Sequence, residues 1–178
     1  TAEEQILYLE REVRLKKADY ALFLEITANY HIKQKNWGKV ITYLSKAIKY
    51  SGDKKKKVRL TYIIGQIHYQ LEDYKSAYNA FDKVVRMNPE YEFLFNALLS
   101  RARAFDPKYN DSSKLITEIN KMLKDDKNND YKDQIYFALA EIALKEEEKE
   151  QAIDHLLNAT ANNTGNDQQQ SIAHLTLA

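Results

Sequence analysis

The chain has 178 residues, 44% of them hydrophobic, with 27 Lys and Arg set against 26 Asp and Glu and no cysteine. That is enough chain for one core. The near-balance of charge argues against a surface made chiefly to grip nucleic acid, and without cysteine neither a disulfide nor a thiolate metal site can form. No run of about 18 apolar residues is present to cross a membrane. There is no initiator Met, signal peptide or lipidation motif, and the sequence stops at HLTLA inside an apolar helical pattern, so the chain reads as a piece of a longer protein.

The predicted elements are helical throughout. TAEE (1–4) has the form of a capping box, so residues 2–15 read as the second helix of a pair. VITYLSKAIKY (40–50) places Val40, Leu44, Ala47 and Ile48 on one stripe, and SAYNAFDKVV (76–85) does the same with Ala77, Phe81, Val84 and Val85. SKLITEINKML (113–123) aligns Leu115, Ile119, Met122 and Leu123, and QAIDHLLNA (151–159) aligns Ala152, Leu156 and Ala159. Each follows the i, i+3, i+4, i+7 spacing of a helix with one buried face. No stretch alternates with period two long enough for a sheet. DQQQSIAHLTLA (167–178) reads as one more helix.

These stripes recur. Ala28, Gly65, Ala102, Ala140 and Ala178 lie 37 or 38 residues apart, each a small residue inside an apolar helical pattern. A fixed period with a small residue at one register signals stacked helix pairs. Gly65 is the costly member, because Gly inside a helix loses about 1 kcal/mol against Ala. Ala77, Phe81 and Pro89 follow it at 12, 16 and 24 residues. Gly65 is then expected where the second helix of its pair crosses closely, with Ala77 as its small counterpart; a large side chain at either place would overpack the crossing by roughly 1–3 kcal/mol. Phe81 fills the gap against the next pair, Asn88 caps the following helix, and Pro89 takes that helix's first position. In the first repeat Ala28, Val40, Leu44 and Ala47 hold the matching places, Trp37 corresponds to Tyr74, and Asn36 and Asp73 are equivalent N-caps. Ala140, Ala152, Leu156 and Ala159 match in the fourth. The third diverges: FDPKYNDSS lengthens its inner turn by about a residue, with Asp111 or Ser112 as the cap. The remaining extra length is expected in the inter-repeat turns YSGDKKKK and KDDKNND.

Candidate chemistry is sparse. His31 and His68 share a repeat position, but two His without a third ligand make no metal site, and both read as replacements for a packed Tyr. DKKKKVR (53–59) and KEEEKE (145–150) read as solvated turns. No nucleophile motif, P-loop, dinucleotide fingerprint or HExxH occurs, and Asp125 and Asp126 sit in a polar loop with nothing to separate their pKa values. Nothing supports an enzyme, a cofactor or a metal. The 13 tyrosines are the most suggestive feature. Tyr30, Tyr62, Tyr69, Tyr74 and Tyr78 cluster in the first two repeats, and Tyr offers stiff contact area with a polar tip.

The skeleton Gly65–Ala77–Phe81–Pro89 and its echoes resemble the tetratricopeptide repeat family over essentially the whole chain. The resemblance implies an all-α, right-handed superhelix of antiparallel helix pairs with about ten helices in one array. Residues 1–17 form a partial repeat, 18–54, 55–91, 92–128 and 129–165 four repeats, and 166–178 the start of another. In that family the first (A) helix of each pair lines a concave groove that receives a peptide or partner segment. Carried onto this register, the groove-facing residues are Glu25 and Asn29, then Arg59, Tyr62, Gln66 and Tyr69, then Asn96, Leu99 and Arg103, then Phe137 and Glu141. Chaperone-binding members grip a terminal carboxylate with a Lys and an Asn one turn apart. Asn29 is present, but Glu25 stands where that Lys would be, which argues against such a clamp.

DYALFLEITANYHIKQKNWGKVITYLSKAI and KMLKDDKNNDYKDQIYFALAEIALKEEEKEQAI also resemble the repeat lipoproteins of Bacteroidota gliding motility and type IX secretion, the SprE/PorW family. That resemblance implies a non-catalytic scaffold on the periplasmic side of the outer membrane. It would dock secretion-apparatus components and be held to the membrane only by a lipid anchor outside these residues. The alternative is a peptide-binding co-chaperone or adaptor, with a cytoplasmic location. No nucleic acid partner is expected.

Overall fold

The structure, a computed structural model, describes residues 1–12, 15–162 and 167–177. Expectations that fall on 13–14, 163–166 and 178, Ala178 as the last small-residue marker among them, lie outside the described residues. The order is α1 (Ala2–Glu12), α2 (Lys17–Lys33), α3 (Trp37–Tyr50), α4 (Lys54–Gln70), α5 (Tyr74–Arg86), α6 (Tyr91–Arg103), α7 (Ser113–Leu123), a 3-10 turn (Asp126–Tyr131), α8 (Lys132–Lys145), α9 (Lys149–Ala161) and α10 (Asp167–Leu177). Among the described residues there is no strand. Helix α2 packs on α3, α4 on α5 and α8 on α9, while α3–α4, α5–α6 and α9–α10 contacts join one pair to the next. This is the all-α helical-repeat fold that the periodicity predicts, with α2, α4, α6, α8 and α10 as A helices.

The hairpins are made by one local device. Lys35, Glu72 and Glu147 have φ of 54°, 59° and 63°. Each follows the C-cap of an A helix, and its N–H donates to the carbonyl of Ile32, Tyr69 or Leu144. The next residue, Asn36, Asp73 or Glu148, donates its N–H to His31, His68 or Ala143, at 3.0, 2.9 and 2.9 Å. These paired bonds close a Schellman turn. The same Asn36 and Asp73 then turn round as N-caps: Asn36 Oδ1 accepts from Lys39 N at 3.4 Å and Asp73 Oδ1 from Ser76 N at 3.1 Å. The hydrogen bonds from Ser76 hold the Asp73 carboxyl below its ordinary range, with His68 helping.

Gly65 is explained by a ring. A Cβ built on it would stand 2.7 Å from Phe81 Cε1, closer than real carbon atoms approach. The expected small counterpart, Ala77, does share the fully buried cluster with Phe81, but the atom that fills the space over Gly65 belongs to Phe81. Phe81 also touches Ala104, at the end of α6, as expected of a plug between repeats. In the first and fourth repeats Ala28 clusters with Leu44 and Ala140 with Leu156. A larger residue on the second helix goes with a smaller one on the first.

Three sequence expectations are corrected. Asn88 does not cap α6: it has φ 46°, ends α5 in the left-handed conformation, and α6 begins only at Tyr91, so Pro89 lies outside the helix. The run 54–59 is not a turn but the start of α4, capped by Asp53, whose carboxylate accepts from Lys55 N at 2.8 Å and Lys56 N at 3.3 Å. Its lysines are engaged: Lys54 Nζ donates to the Asn88 carbonyl at 3.1 Å and Lys55 pairs with Glu90 at 2.5 Å, both in the segment that follows α5, while Lys56 reaches Glu25 on α2 at 3.0 Å. In the third repeat the inner connection runs from 104 to 112, against three residues in the others, chiefly because α6 ends one residue past its small marker Ala102, whereas α2, α4 and α8 run five residues past theirs. Asp111 supplies the cap, accepting from Ser113 N at 3.3 Å and Ser113 Oγ at 2.8 Å, while the Ser112 side chain makes no capping bond.

His31 is buried between Tyr43, stacked at 5.4 Å, and Tyr30, and burial pushes its pKa down. His68 Nδ1 is 3.1 Å from Asp73 Oδ2. Both serve the hairpins. No group of three His, Cys, Asp or Glu that could hold a metal ion occurs among the described residues, and none of their helices is long and apolar enough to cross a membrane.

Candidate interaction groove

Helical spacing alone lines up Tyr62, Gln66 and Tyr69 on α4. Tyr62 is the anchored member. Its hydroxyl is 2.9 Å from Ser100 Oγ on α6, and its ring lies against Phe81 and Phe93 with centroids 5.3 and 6.1 Å apart. It therefore fixes the spacing of two A helices and offers only part of its ring outward. Gln66 is exposed and Tyr69 is 39% exposed, with its ring edge-on to Tyr74 at 5.4 Å.

At the far end of α6, Arg103 Nε lies 3.6 Å from Glu141 Oε2 on α8. Lys145 Nζ donates to the Arg103 carbonyl. Burial pushes the Glu141 carboxyl up despite the pull of Arg103 and Lys145, and pushes the Lys145 ammonium down against Glu141 and Asp106. Burial also raises the Tyr69 hydroxyl, and the Glu141 charge adds to it, which places this phenol in the electrostatic reach of the ion pair.

Two hollows open on this face. One of about 230 Å³ is lined by Tyr62, Gln66, Tyr69, Phe81, Ser100 and Arg103. The second, about 430 Å³, adds Tyr74, Glu141, Lys145 and the start of the long third-repeat connection. Tyr69 and Arg103 border both. Side chains from three successive A helices thus meet at one place: aromatic walls, a guanidinium, and a desolvated carboxylate. Such a site can bind an extended segment by stacking and hydrogen bonds.

Five of the sequence-predicted groove residues, Tyr62, Gln66, Tyr69, Arg103 and Glu141, are brought together here. Asn29, Arg59 and Asn96 are exposed but border neither hollow, and Asn96 Nδ2 donates to the Glu92 carbonyl at 2.8 Å. Glu25 is held by Lys56. Leu99 and Phe137 are corrections. They occupy the register of Glu25 and Tyr62 but are only 4% and 8% exposed, Leu99 within the α6–α8 core and Phe137 against Leu156 and Ala173. An apolar side chain at that register turns into the seam between A helices instead of facing a partner.

Sequence reasoning missed Arg101. It is 2% exposed, its Nη1 donates to Asp82 Oδ1 at 2.7 Å, and its Nη2 pairs with Glu118. The signal was its register: Arg101 stands where the other repeats have Thr27, Ile64 and Leu139, so a buried charge with partners was to be expected.

Stacked helix hairpins that carry a groove across successive A helices are the architecture of a helical-repeat protein–protein interaction scaffold. Residues 58–91 match the family model of the tetratricopeptide repeat, and the flanking pairs follow the same register. No curated protein matches the sequence.

Proposed function

We propose that the face made by α4, α6 and α8 receives an extended segment of a partner protein. The convergence of Tyr69, Arg103 and Glu141 at two adjoining hollows carries this reading. We further propose that the scaffold is the repeat part of a periplasm-facing outer-membrane lipoprotein of type IX secretion and gliding motility, anchored by lipid outside these residues. Its partners are then components of that apparatus. The support for this narrower reading is the likeness of residues 19–48 and 121–153 to such lipoproteins.

The test is affinity capture from envelope extract, with the chain as bait and Tyr69→Ala/Arg103→Ala as control. Tyr62 is left intact because its ring packs on Phe81. Capture of identified secretion-apparatus proteins that is lost in the double variant supports both parts. Capture unaffected by the substitutions moves the interface off this face. Capture of chaperones through their C-terminal peptides replaces the secretion reading with a co-chaperone role.

A further inference from the structure

The larger hollow of the groove, about 430 Å³, sits at the carboxyl ends of three helices. Tyr69 is next to last in α4, Arg103 ends α6, and Glu141 lies one turn before the end of α8. Each helix carboxyl end carries partial negative charge, about half an elementary charge. Glu141 adds a full one where that field opposes it. Its Oε2 is buried without a hydrogen-bond partner: Arg103 Nε, at 3.6 Å, is too far, and Lys145 Nζ is taken by the Arg103 carbonyl. Burial raises the carboxyl pKa in spite of both cations. Glu141 therefore weakens the fold at neutral pH, and a desolvated carboxylate without donors in a cleft marks a binding position.

The Glu141 side chain is still 23% exposed, toward the hollow that it lines. The four formal charges there, Arg103 and Lys145 against Asp106 and Glu141, cancel. The helix ends then set the sign, and it is negative. A water molecule would fill a lone pair of the carboxylate and leave that sign unanswered, and an acid would add to it. A cation answers both. The walls choose among cations. Tyr69 and Tyr74 meet edge to face at 5.4 Å and stay 39% and 40% exposed, and Tyr69 feels the Glu141 charge, so ring surface remains near the carboxylate. A guanidinium is planar, stacks on such rings and gives up water more readily than an ammonium. We infer that the segment held by this groove carries an arginine, whose guanidinium lies on the Tyr69 and Tyr74 rings and donates to the Glu141 carboxylate. This rests on the reading of the α4, α6 and α8 face as the docking groove and adds the side chain that the groove selects.

The chain is titrated with three end-blocked Ser-Ala octapeptides that differ at one central residue: arginine, its neutral isostere citrulline, or glutamate. The readouts are the NMR signals of the Tyr69 ring and the Glu141 carboxyl carbon. The expected result is a saturable shift of both, with the arginine peptide bound about ten-fold tighter than the citrulline peptide, the worth of one charge-assisted hydrogen bond. In Glu141→Gln, which removes a destabilising charge and so keeps the fold, the two peptides should bind alike. An arginine preference that survives this substitution puts the guanidinium elsewhere and overturns the assignment. Equal binding of the arginine and citrulline peptides to the unaltered chain leaves the groove standing and overturns the arginine. Tighter binding of the glutamate peptide overturns it in favour of Arg103 as the anchor. No shift with any of the three means that water alone serves Glu141 and overturns it too; whether the face docks a partner is then decided by the envelope capture with Tyr69→Ala/Arg103→Ala.

Discussion

The second and third repeats have the same length and sit side by side, yet they solve the crossing of their two helices in opposite ways. In the second, Gly65 gives up its Cβ so that Phe81 can lie on the backbone of α4, and a three-residue Schellman turn sets the angle. In the third, α6 stops one residue past Ala102, so the last turn of the first helix is missing, α6 and α7 touch only lightly, and α6 leans on α5 and α8 instead. The space is filled by Phe105, Leu115, Ile119 and Met122 and sealed by the Arg101 ion network. A repeat register can thus be kept in the chain while the hairpin that normally expresses it is lost, provided the neighbours take over its contacts.

The largest test of this contrast is to remove the central side chain of each repeat. Phe81→Ala is expected to lose about 3–5 kcal/mol in denaturant unfolding, as for other buried aromatics. Arg101→Ala is expected to lose less, about 1.5–3 kcal/mol, the worth of a hydrogen bond to a charged group, because Asp82 keeps Arg86 and Glu118 keeps Lys114 as partners. Replacing all three charges together with Met and Leu should recover most of the loss. If it does not, the network is more than a seal.

Next in size is the pairing of volumes. Gly65→Ala should cost about 1–3 kcal/mol by forcing the Phe81 ring aside. Adding Phe81→Leu reproduces the Ala–Leu pair of the first and fourth repeats, so the double variant should be more stable than the sum of the two changes by about 1 kcal/mol or more. Additive losses would show that Gly65 and Phe81 are not the coupled pair. A smaller gain is expected from Glu72→Gly, about 0.5–1 kcal/mol, because a left-handed φ of 59° suits Gly better than Glu. The third repeat has no such residue among its described positions, so it offers no equivalent gain.

The smallest effect is in pH. Burial raises the carboxyl pKa of Glu141 and of Asp133, which is 2% exposed at the start of α8. A raised folded-state pKa means that the folded chain binds the proton more tightly than the unfolded chain. Stability should therefore rise as pH falls from neutral toward the ordinary carboxylate range of about 4. Glu141→Gln and Asp133→Asn should each flatten that slope. Asp73, whose pKa is lowered, acts with the opposite sign and only at pH below about 4.

The helix pairs and much of the groove were legible because they follow from spacing. Small residues recur at one register, and Tyr62, Gln66, Tyr69, Arg103 and Glu141 fall at fixed steps from them. What spacing does not carry is the depth of each position. Leu99 and Phe137 share a register with Tyr62 but lie in the core, since an apolar side chain at a seam folds inward. Arg101 was passed over because a charge in a periodic pattern reads as surface until its partners on other helices are known. Asn88 was misread because Asn serves both a helix start and a left-handed stop, and the local sequence Asn-Pro does not say which.

The shared turn residue has a consequence for how the array opens. Asp73 closes the end of α4 through its N–H and starts α5 through its carboxylate, so neither helix end can fray without releasing the other. Amide protons on both sides of such a turn should exchange with deuterium as one event. Across 104–112, where no residue holds both jobs, α6 and α7 should exchange separately, making that stretch the place where the array opens first.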